Sequence, residues 1–202
     1  MKEIPNLEIA EEIYRRHEEI ISNISRESVD VYLWLRDEYK KGNIKNNTVF
    51  QFVFRSYYRL DRAGLGKKLK KRYFELLDAK EDNLEFILNE LHKIPRERGD
   101  NTVQFSFATK LLHTIDNSKP IFDDEVSVVI HKKVAGKNKE RIESARKIYA
   151  YLENFYSEFI GNVKIQKVIK KFKSKFDIDA KRISEQKILD FLIWSLGKLK
   201  KD

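Results

Sequence analysis

Apolar residues recur along this chain at the spacing of helices. From Asn6 to Ser22, Ile9, Ile13 and Ile20, with Tyr14 beside them, share one face while Glu and Arg fill the other. The pattern predicts a helix over 6–22 with Asn6 as N-cap. A second helix is predicted from Ser25 to Lys41, burying Val29, Tyr32 and Leu33, with Trp34 added to that face and Gly42-Asn43 as the stop. The two read as a helical hairpin.

Residues 48–60, TVFQFVFRSYYRL, are rich in β-branched and aromatic side chains, which suit a strand. The run exceeds the usual strand length, no partner strands are evident, and Phe50, Val53, Phe54 and Tyr57 follow the i, i+3, i+4, i+7 rule. A helix is therefore expected. The aromatic residues of this run offer base-stacking surfaces, but their helical spacing assigns them to the core.

A turn at Asp61–Gly66 precedes a basic helix over 65–77, with Leu69, Tyr73, Phe74 and Leu77 inward. A helix over 82–94 buries Leu84, Ile87, Leu88 and Leu91 and ends before Pro95. The next begins near Asn101 and carries Phe105, Ala108, Leu111, Leu112 and Ile115. After Ser118-Lys119-Pro120, Asp123 or Asp124 caps a helix over 125–133, and three more follow over 139–160, 163–176 and 184–199. The expectation is an all-α protein, one globular domain over 1–202 of nine or ten helices, with two helical lobes and a cleft as its alternative form.

Composition agrees with helix. Only three prolines and seven glycines interrupt the chain. The absence of cysteine excludes disulfides, thiolate metal sites and a cysteine nucleophile. Met1–Leu7 lacks a signal-peptide core, and no apolar run approaches the roughly 20 residues that span a bilayer. A cytoplasmic protein without a membrane partner is the resulting expectation.

Charge changes the picture more. The net of +9 resolves into −2 over 1–45, +6 over 46–80, −5 over 81–130 and +10 over 131–202, so two basic blocks flank an acidic one. Such blocks attract a polyanion to particular surfaces. Lys67, Lys68, Lys71 and Arg72 follow the Gly64-Leu-Gly66 turn, where free amides at a helix start also suit phosphate. Lys164, Lys167, Lys171 and Lys175 crowd the polar side of 163–176. These eight are the candidate nucleic-acid contacts, and a solvated helix face is the simpler reading of either group.

The segment Phe105-Ser-Phe-Ala-Thr-Lys110 through Lys119-Pro-Ile-Phe-Asp123-Asp124 joins a helix-borne lysine to a Pro-x-x-Asp turn. It resembles the helix-hairpin-helix DNA glycosylase superfamily, including the archaeal 8-oxoguanine glycosylases. The resemblance implies DNA as partner, Lys110 as an amine nucleophile on C1′, and Asp123 as the acid that activates it. That family's Gly-x-Gly phosphate turn is not matched, because the corresponding stretch, 99–109, holds the single glycine Gly99, placed too early. Segments 58–65, 110–123 and 188–194 are also similar to an uncharacterised bacterial and archaeal family.

Without the resemblance, Lys110 reads as a solvated helix lysine, Asp123 as a plain N-cap, and Asp61 as a buried ion-pair partner at the Gly64 turn. His17, His92, His113 and His131 show no metal-ligand spacing; His113 with Asp116, Asp123 and Asp124 is the only oxygen-rich grouping to weigh. No metal and no cofactor is expected. Three functions stay open: a glycosylase-like repair enzyme, a non-enzymatic DNA- or RNA-binding protein, and a protein-interaction module.

Overall fold

Side-chain caps start five of the helices. In the computed structural model, which describes residues 6–179 and 181–201, Asn47, Asn83, Asp123, Asn162 and Ser184 each accept an amide of the turn they precede. Residues 1–5, part of the segment read as lacking a signal peptide, lie outside the described residues. The eleven α-helices are α1 (Asn6–Arg15), α2 (His17–Ser22), α3 (Arg26–Lys41), α4 (Thr48–Tyr57), α5 (Lys67–Asp78), α6 (Leu84–His92), α7 (Phe105–Ile115), α8 (Asp124–Ile130), α9 (Asn138–Ile160), α10 (Val163–Phe176) and α11 (Glu185–Leu199). A 3-10 turn covers Leu60–Ala63, and no strand occurs among the described residues. The fold is all-α.

Three local expectations need correction. The helix expected over 6–22 is two, because Arg16 adopts φ −99° and ψ 14° and its guanidinium reaches both Glu12 and Glu19. Asn6 opens α1, with its side chain bonded to Glu158 and to the Tyr151 hydroxyl. Trp34 is 36% exposed, outside the buried face that holds Val29, Tyr32 and Leu33. The 48–60 run is helical over Thr48–Tyr57, as its periodicity requires, and turns at Tyr58 and Arg59.

The helices gather into two compact units. The first takes residues up to Val29, Asn117–Lys133 and the chain from Lys147 onward. Its centre is α11, on which residues 187–193 and 195–197 are all buried. A helix apolar almost all round must be enclosed, and α1, α2, α8 and α10 pack against it. At α8 the approach is close: a Cβ on Gly197 would lie 2.3 Å from the Glu125 carbonyl oxygen.

The second unit comprises Asp30–Asp116 and Val134–Arg146. Phe50 and Phe54 of α4, Tyr58, and Tyr73 and Phe74 of α5 form an aromatic core, with centroid separations of 4.7 Å for Phe54–Tyr58 and 5.7 Å for Phe54–Phe74. Each such pair adds about 0.5–1.5 kcal/mol beyond burial. Helices α6 and α7 close this core with Ile87, Leu88, Leu91, Ala108 and Leu111.

Candidate functional site

The aromatic core of the second unit fixes α4 against α5, and their polar edges border a cavity of about 580 Å³ that is open to solvent. It is lined by Lys45, Asn46, Gln51, Arg55, Asp61, Lys67, Lys70, Lys71, Phe74 and Glu75. Five cations against two carboxylates leave three net positive charges at its wall.

Its loop is held in place from below. Asp78 accepts the amides of Ile44 and Lys45, and the Gln51 amide donates to both of their carbonyls. Asp61 sits 2.9 Å from Lys70 Nζ and 3.3 Å from Arg55 Nε. It is thus an ion-pair partner, as the sequence suggests, but an exposed one whose cations come from α4 and α5. Lys71 lies 4.0 Å from Glu75. Among the described residues no carboxylate pairs with Lys45 or Lys67.

Helix α5 begins at this cavity with an unusual charge arrangement. Gly66 supplies no side-chain cap, and the first turn holds Lys67 and Lys68 with no acid. Cations at the positive end of a helix dipole repel it, whereas an anion there is favoured by about 0.3–1 kcal/mol. Glu97 approaches Gly66 with its Cγ 3.4 Å from where a Cβ would stand, so one carboxylate side chain lies near this end.

Of the first candidate group, Lys67 and Lys71 line the cavity and Lys68 is exposed on α5 outside the lining. Arg72 is diverted: its Nε lies 3.1 Å from Glu90, and a further nitrogen 3.4 Å from Glu75. These hydrogen bonds, Glu90 foremost, raise the Arg72 pKa, and Lys93 with Arg72 holds the Glu90 carboxyl below its usual range. Sequence reasoning missed Lys45 and Arg55, which only the packing of α4 on α5 brings to the same wall.

The second group lies on α10, in the first unit. Lys164 pairs with Glu11, Lys175 donates to the Ile21 carbonyl at 3.2 Å, and Lys171 contacts His17 Nε2. His17 Nδ1 lies 2.7 Å from the Tyr14 carbonyl, which makes it the donor nitrogen and leaves Nε2 to accept from Lys171. Lys167 is exposed, with Lys170 one turn away.

No family model, curated protein or solved structure matches the chain.

Lys110 is not the solvated helix lysine that its pattern also allows. It is 9% exposed, with Nζ 3.1 Å from the Ser106 hydroxyl and 5.8 and 5.4 Å from the ring centres of Tyr58 and Phe107. Asp123, in the first unit, caps α8 by accepting the Val126 amide at 3.0 Å. His113 is buried with Nε2 3.1 Å from the Tyr32 hydroxyl. Among the described residues no three His, Asp or Glu side chains could hold a metal together, so the His113–Asp124 grouping is not such a site. No described helix is long and apolar enough to cross a membrane.

A buried polar cluster in the first unit went unread in the sequence. Lys187 and Asp190, one turn apart on α11, pair at 2.6 Å with side chains 3% and 8% exposed. Lys187 Nζ also lies 4.3 Å from the Phe191 ring centre. Burial, and then the charges of Asp190 and Asp123, push the Tyr156 phenol well above its ordinary pKa.

Proposed function

We propose that this chain binds nucleic acid, with the basic cavity of the second unit as its phosphate site and DNA, the partner implied by the glycosylase resemblance, as its ligand. The observation that carries the reading is the convergence of Lys45, Arg55, Lys67, Lys70 and Lys71 on one cavity. A phosphate there meets cations from two helices and a loop together with the uncapped start of α5. Neutralising phosphates releases condensed counterions, which supplies affinity without any base contact.

Fluorescence anisotropy with a labelled duplex and a labelled single strand tests this. The combined variant Lys45→Ala, Lys67→Ala, Lys71→Ala is expected to weaken binding at least about tenfold in low salt, whereas Lys200→Ala, at a lysine of the first unit paired with Glu12 at 2.7 Å, is expected to leave it unchanged. An intact protein that binds neither probe at low salt removes the reading.

The surroundings of Lys110 favour an enzymatic form of the same function. A lysine amine largely withdrawn from water, beside two aromatic rings and a hydroxyl, suits attack on a sugar C1′. In that chemistry the amine displaces the damaged base and yields an imine that borohydride reduces to a stable link. Trapping on a lesion-bearing duplex, lost in Lys110→Ala, supports the enzyme; binding without trapping leaves a non-enzymatic DNA- or RNA-binding protein.

A further inference from the structure

Helix α4 has three faces. Phe50 and Phe54 are fully buried, Gln51 and Arg55 line the basic cavity, and the remaining side carries Val49 and Phe52 into solvent at 62% and 63% exposure. Phe52 is the most exposed aromatic side chain among the described residues. An isolated exposed apolar residue needs no explanation. Here two stand at i and i+3 on one helix, and Phe52 is in turn three residues from Arg55, so the apolar ridge runs directly beside the cation-lined wall.

That pairing of chemistries matches one kind of ligand. A phosphate chain held by the cavity needs only charge, but the adjoining ridge offers a flat aromatic face that a stacked duplex cannot use without exposing a base. An unpaired strand presents phosphates and free base faces together, and aromatic side chains beside basic grooves bind such strands with little sequence preference. We infer that the α4 edge of the second unit is a single-strand site, in which the cavity holds the backbone and Phe52, flanked by Val49, stacks on an unpaired base. The inference rests on the phosphate-binding reading above and assigns its ligand class. Of the aromatic side chains assigned to the core by their spacing, Phe50 and Phe54 lie there and Tyr57 is half-buried; the stacking role falls to Phe52, which is out of phase with them.

The test uses the full chain and three labelled probes: an oligo-dT strand, the same length of abasic sugar-phosphate strand, and a blunt duplex. The wild-type protein is expected to bind oligo-dT most tightly. Phe52→Ala is expected to lower affinity for oligo-dT on the order of tenfold, to leave the abasic strand and duplex unchanged, and to be rescued by Phe52→Trp. Because the side chain is exposed, an unchanged melting temperature should accompany the loss. Equal binding of all three probes, unaffected by Phe52→Ala, overturns the single-strand assignment while the phosphate site stands. Equal losses on oligo-dT and the abasic strand also overturn it, since the residue would then be acting on the cavity. Absent binding to every probe removes both readings. Binding to anionic vesicles that Phe52→Ala abolishes, with oligo-dT affinity unchanged, assigns the ridge to lipid instead.

Discussion

Lys187 Nζ lies 2.6 Å from Asp190 Oδ2, with both side chains almost wholly enclosed within α11 and its neighbours. Removing one takes this 2.6 Å contact from a buried charge, which costs about 3–5 kcal/mol, whereas replacing both by apolar groups of similar size is often neutral or better. Lys187→Met and Asp190→Leu are each expected to lose that much stability in urea unfolding, and the double variant to recover most of it. Additive losses would show that the two groups act separately.

Gly197 touches the α8 backbone so closely that no side chain fits: an added Cβ meets the Glu125 carbonyl oxygen at 2.3 Å and its carbon at 2.7 Å. Both obstacles are main chain, so relief requires moving a helix. Gly197→Ala is expected to destabilise the protein by about 1–3 kcal/mol, despite alanine's better helix propensity of about 1 kcal/mol. A higher melting temperature in this variant would contradict the packing.

Tyr156 holds its proton more strongly folded than unfolded, because burial and then the charges of Asp190 and Asp123 oppose the phenolate. Its contribution is present below the unfolded value of about 10 and is lost as pH rises above it. Tyr73, raised by burial, behaves alike. Tyr156→Phe is expected to flatten the fall in stability above about pH 10. At neutral pH it should cost little, since the Tyr156 hydroxyl has no hydrogen bond of good geometry. Tyr73→Phe should instead lose about 1 kcal/mol with its bond to the Phe107 carbonyl. Unchanged alkaline curves for both variants would refute the assignment.

Asn83 and Ser184 test the capping logic where it is simplest. Each accepts an amide at the start of its helix, at 2.9 Å from Phe86 and 3.2 Å from Lys187. Alanine at either position is expected to cost about 1 kcal/mol, measured by chemical denaturation. No loss at Asn83 would mean that water replaces the cap.

Helix positions were legible because periodicity and caps act locally: α10 spans Val163–Phe176 as its pattern requires, with Asn162 before it. The break at Arg16 was not, since no glycine or proline marks it. Half of the candidate cavity was legible as well. Lys67 and Lys71 stand in a visible basic run, whereas Lys45 and Arg55 join them through the ring packing of Phe54 on Phe74. Lys187 and Asp190 drew no assignment from the helical pattern. The signal that identifies them is the continuous apolar surroundings of 188–196, in which any charged side chain must be enclosed with a partner.

The measurement that bears most directly on the phosphate site is the dependence of oligo-dT affinity on salt, compared between the wild-type chain and the variant lacking Lys45, Lys67 and Lys71. Each phosphate contact contributes about 0.7 to the slope of log affinity against log salt for a single strand. If the cavity grips the backbone, the variant's slope is shallower by about 2. An unchanged slope, at whatever affinity, would place the bound strand elsewhere on the protein.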